Sequence, residues 1–131
     1  MTIHRKTFLT IASLVALIVG IFALGAPDVL LQSKGVQVHA GTSVWVREMG
    51  VMLIAAGVTA FMVRHHADSL TLKAVLMGNV IIQLGLLVIE PLAYAAGTIT
   101  KLAGIVPNTV IHVFLATGFY YYANKIASKD N

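Results

Sequence analysis

The chain has 131 residues, 58% hydrophobic and 11% charged, with a net charge of +4 and no cysteine. A soluble domain carries about 25% charged residues, so the composition argues against a water-exposed globular fold, and the missing cysteines exclude disulfides, thiolate catalysis, Cys-ligated zinc and iron–sulfur clusters. Four membrane spans of about 20 residues each take up most of the length, which predicts one membrane domain over residues 1–131.

The first predicted helix covers about 7–26. Its apolar run from Phe8 to Ala26 follows the basic cluster His4-Arg5-Lys6. It is longer than the apolar region of a signal peptide, about 7–15 residues, so it is expected to be retained. Pro27 to Ser43 reads as a loop on the outer side. The second helix covers about 44–64 and ends at Arg64-His65-His66. A tight turn around Ala67-Asp68-Ser69 leads into the third, about 72–92, expected to stop near Glu90-Pro91. After a loop from Ala95 to Val106, Pro107 opens the fourth, about 107–125, because proline suits the first position of a helix. The expected fold is all-α, an integral membrane four-helix up-down-up-down bundle. Its helix interiors are expected to lack the proline or paired-glycine breaks of transporters.

Basic residues in short loops stay on the cytoplasmic side. With the N-terminus inside, Arg5, Lys6, Arg64, Lys73, Lys125 and Lys129 are inner, and Lys34, Arg47 and Lys101 are outer. That asymmetry predicts both termini cytoplasmic, and the expected location is the plasma (inner) membrane. Trp45 and Tyr94 at the outer boundary, and Phe8 and Tyr120-Tyr121-Tyr122 at the inner one, suit the aromatic belts. The first expected partner is the lipid bilayer. Nucleic acid is not expected, since it requires a clustered basic surface.

Helices in lipid associate by close backbone approach and interhelical hydrogen bonds. Ser13, Ala16, Gly20 and Ala23 form a small-residue stripe on the first helix, while Gly50 and Gly57, and Gly78 and Gly85, are each one heptad apart. All four of the latter glycines are expected to face other helices.

Polar side chains are costly in hydrocarbon and usually face the bundle interior or a wet cavity. Asn79, Gln83 and Glu90 form an intramembrane stripe on one face of the third helix, Asn108 and His112 share a face of the fourth, and Arg47 and Glu48 enter near the start of the second. At about 1.5 Å rise per residue, Arg47, Glu48, Glu90, Asn108 and His112 lie in one band of depth, which makes them the candidate pocket in the outer half. Ion pairing of Arg47 with Glu90 or Glu48 is a sufficient structural reason for it. His65 and His66 are adjacent and point apart, and His4 and His39 lie in exposed segments. A haem held by two histidines needs a second one at the depth of His112. The sequence therefore gives reason to expect no metal and no cofactor.

The stretch Val46-Arg47-Glu48-Met49-Gly50 through Ala56-Gly57, with the helix lengths and the long first outer segment, resembles the DoxX-like group of small four-helix membrane proteins. The resemblance directs interest to Arg47 and Gly50 and implies an oxidoreductase-subunit or accessory role without supplying a reaction. From the residues themselves, the leading expectation is an accessory subunit or a protein that binds a hydrophobic small molecule, as a homo- or hetero-oligomer. The alternatives are a membrane enzyme using His112 with Glu48 or Glu90 as acid and base, and a proton-coupled transporter using Glu90 and His112.

Overall fold

The structure, a computed structural model, describes residues 3–126. Lys129, one of the basic residues counted above, lies outside them. The described residues form α1 (Arg5–Gly25), α2 (Pro27–Ser33), α3 (Ala40–Val63), α4 (Leu70–Ala95) and α5 (Val106–Lys125), with a 3₁₀ turn at Leu102–Gly104. No strand occurs among them. Four helices are long and apolar enough to cross a membrane. The chain is an all-α membrane bundle with one end formed by the described termini and the other by two connecting segments, here the loop end.

Local chemistry explains where the elements depart from expectation. The segment after α1 is not all loop. Pro27 starts α2 and Asp28 sits in its first turn, where a carboxylate suits the helix dipole. The start of α3 is at Ala40 because the Thr42 hydroxyl accepts from the His39 N–H at 3.0 Å and donates to the His39 carbonyl at 2.8 Å. Ser69 caps α4 by accepting from the Leu72 N–H at 3.1 Å. α4 runs through Pro91 to Ala95, so the expectation of proline-free helix interiors is corrected. Proline removes only its own rung of the ladder, and the turn after it is closed by the Ala96 N–H bonding to the Leu92 carbonyl at 2.9 Å.

α1 packs chiefly on α3, and α4 chiefly on α5. The two pairs join at the terminal end around Phe8, Leu9, Leu72, Leu76, Leu115 and Phe119, all buried. Arg5 reinforces that end by an ion pair with Asp68 and a 2.9 Å hydrogen bond to the His66 carbonyl. Between α1 and α3 the backbones nearly touch. A Cβ at Gly50 would lie 2.8 Å from the Gly20 carbonyl oxygen and 2.8 Å from the Leu24 nitrogen. One turn pair away, the Ser13 hydroxyl donates to the Gly57 carbonyl at 2.7 Å. Gly50 and Gly57 thus face a helix. Gly78 and Gly85 do not: both are exposed, with nothing within 4 Å of an added Cβ. At about 100° per residue they lie roughly opposite Gln83, and α4 turns Leu76, Val80, Gln83 and Glu90 inward instead.

Candidate functional site

The site is built at the loop end between α4 and α5, and its cation comes from the connection after α2. α2 closes in a Schellman motif: the Gly35 N–H bonds to the Gln32 carbonyl at 3.0 Å and the Val36 N–H to the Leu31 carbonyl at 3.0 Å. Such a cap places the residue after the helix in the left-handed region, and Gly35 has φ +70°. α4 ends in the same way, with Gly97 at φ +75° and the Thr98 N–H bonded to the Ala93 carbonyl at 2.9 Å. Each cap turns its loop across the end of the bundle, and the two loops dock.

Lys34, the residue before Gly35, is held from several sides. Its carbonyl accepts from the N–H groups of Thr100 at 3.1 Å and Lys101 at 3.2 Å. The Thr100 hydroxyl donates to the Gly35 carbonyl at 2.9 Å and Lys101 Nζ to the Gln32 carbonyl at 3.0 Å. Gly104 comes so near that a Cβ there would lie 2.7 Å from Lys34 Cα. With its backbone fixed, Lys34 extends its ammonium group to form an ion pair with Glu90 Oε1.

Glu90 is 8% exposed. The same Oε1 accepts from Asn108 Nδ2 at 3.0 Å, while Oε2 is buried without a hydrogen-bond partner. Farther along the α4–α5 seam, His112 Nδ1 lies 2.6 Å from Gln83 Oε1, and Gln83 is 7% exposed. The contact ties the imidazole of His112 on α5 to the side-chain amide of α4. The seam therefore holds one unpartnered acceptor, Glu90 Oε2, beside a fixed ammonium group. A cleft of about 400 Å³ opens between the docked loops, bordered by Gly35, His39, Thr42, Thr98 and Thr100.

Of the five residues expected in the pocket, Glu90, Asn108 and His112 come to this seam. Arg47 and Glu48 do not. Both are exposed on α3, and neither makes an ion pair or side-chain hydrogen bond among the described residues. The reason lies in α3 itself, where Gly50 and Gly57 take the packing face against α1 and Glu48 lies about 180° around the helix from Gly57. Asn79 turns back to its own helix, donating to the Val75 carbonyl at 2.9 Å. The partner of Glu90 is Lys34, which sequence reasoning placed in an outer loop. Pro27 at a helix start and Gly35 at a helix stop are the signals that would have folded that loop and directed attention to Lys34. Among the described residues, no three His, Asp or Glu side chains cluster as metal ligands.

No family model matches the chain, and no curated protein or solved structure matches it either.

Proposed function

We propose that the protein binds a lipophilic small molecule bearing a hydrogen-bond donor in the α4–α5 seam, on its own or as the small subunit of a membrane complex. The carrying observation is Glu90 Oε2, buried and without a partner while Oε1 takes both Lys34 and Asn108. An acceptor left unsatisfied in a buried site costs about 1–3 kcal/mol. A hydroxyl or amine on a membrane-dissolved ligand supplies the missing bond.

Acid–base catalysis and proton transport would use Glu90 as a group that gains and loses a proton. The carboxylate is instead engaged by Lys34 and Asn108, and Lys34 is held by three hydrogen bonds between the loops and one from Lys101 to α2, an arrangement that favours holding over turnover. The finer setting of this reading is the plasma (inner) membrane with both termini cytoplasmic and the loop end outside. The DoxX-like resemblance is its family proposal.

Native mass spectrometry of the protein extracted with its membrane lipids tests the binding. The wild type should carry a small molecule that survives bilayer exchange. Lys34→Met/Glu90→Gln should lose it, because the glutamine amide keeps an acceptor for Asn108 but presents a donor where Oε2 was. The same bulk lipids in both proteins, and nothing else, would overturn the proposal.

A further inference from the structure

The charges left on α3 lie apart from the α4–α5 seam, on a face of their own. α3 packs on α1 and, near its start, on α2; its opposite face is bare. On that face Val44, Val51, Ala55, Val58 and Met62 are exposed, and Glu48 completes their row. The successive separations of 44, 48, 51, 55, 58 and 62 are four and three residues in alternation, the spacing of a seam between two parallel helices. Arg47 flanks the row on the other side from Glu48.

Lipid is a poor neighbour for this face. Arg47 and Glu48 follow Trp45, the aromatic residue of the outer boundary, by two and three residues, about 3–5 Å along the axis, and arginine does not lose its charge. Glu48 cannot serve as its partner within the chain, because residues i and i+1 of a helix do not face each other.

We infer that α3 is the interface of a homodimer, in which Arg47 of each copy pairs with Glu48 of the other. All copies insert in one orientation, so the two-fold axis runs along the membrane normal and the two α3 helices lie parallel. Residues 47 and 48 of both copies then share one depth. An isologous contact repeats each pair, so one Arg and one Glu per chain neutralise all four charges. The apolar row below them supplies the helix-to-helix packing. A different membrane protein would need to bring its own complementary pair to the same depth; a second copy already carries it.

The absence of cysteine makes the test direct. Val51→Cys and Val58→Cys chains, oxidised mildly in membranes, should form a disulfide-linked dimer, and Ile89→Cys on the exposed face of α4 should not. In the Val58→Cys background, Arg47→Glu alone or Glu48→Arg alone should lower the dimer yield at least tenfold. The combined swap should bring it back to within twofold, which separates a lost partner from a misfolded chain. No dimer at Val51 and Val58, equal yield at Ile89, a yield indifferent to either charge, or a combined swap that stays low would each overturn the inference.

Discussion

Along α1 and α3, backbone meets backbone: the Cβ that Gly50 lacks would sit 2.8 Å from a carbonyl oxygen of α1. Between α4 and α5, the contact at the loop end is instead carried by side chains, with Gln83 reaching His112 and Glu90 reaching Asn108. Hydrocarbon provides no hydrophobic drive for either pair, and both routes are available to membrane helices. They differ in what they tolerate. Close approach depends on the absence of atoms and has no chemical substitute, whereas a polar seam can be exchanged for apolar side chains of like volume with little loss of stability. A polar seam with an acceptor left open is thus poorly explained by adhesion, and the glycine seam is explained by nothing else.

The largest expected effect breaks the first seam. Gly50→Leu must displace α1 backbone, and overpacking of this kind costs about 3 kcal/mol. Gly85→Leu on the open face of α4 should leave stability unchanged or raise it by about 1 kcal/mol through helix propensity. Thermal unfolding in detergent, followed by circular dichroism, should give a sharply lower Tm for the first only; equal melting points would mean that α1 and α3 are not in backbone contact. Smaller is the effect of Gln83→Leu, which leaves His112 Nδ1 without its hydrogen-bond partner at about 1–3 kcal/mol. Adding His112→Phe should recover most of that loss, and failure to recover would mean that the pair is not formed.

The smallest effect lies outside the spans. Exposed His65 is held below its ordinary value of 6.5, first by partial desolvation and then by the charges of Lys6 and Arg64. A group with a lowered folded pKa takes up protons on unfolding, so stability falls as the pH drops through about 6.5. Tm measured between pH 7.5 and 5.5 should decline slightly less for His65→Gln than for wild type; an identical decline would place the proton uptake elsewhere.

The two seams were not equally legible in the sequence. Four apolar runs fixed by the composition of residues 1–131 reveal the bundle, because lipid demands them. The role of Gly50 and Gly57 follows from spacing. The same rule fails at Gly78 and Gly85, because α4 also carries Gln83 and Glu90 on roughly the opposite face, and only one face turns inward. On α3 the glycines take the inward face and the charged residues are turned away. Which face prevails on each helix depends on the partner's surface, and that is set by contacts distant in sequence. Depth brought Glu90, Asn108 and His112 into view together, but it selected Arg47 and Glu48 as well, which α3 turns away. For Lys34 only the helix before it was signalled, by Pro27 and Gly35; its reach to Glu90 depends on loop docking between residues 34 and 100, whose hydrogen bonds have no local signature.

The pairing of Lys34 with Glu90 is the centre of the account, and a double-mutant cycle of unfolding free energies tests it most directly. Lys34→Met alone leaves a buried carboxylate without its cation and should cost about 3–5 kcal/mol. Lys34→Met/Glu90→Gln, which removes both charges and keeps an acceptor for Asn108, should lie within about 1 kcal/mol of the wild type, as exchange of a buried pair for neutral groups commonly does. A double variant whose loss equals the sum of the two single losses would contradict the account, since independent sites add.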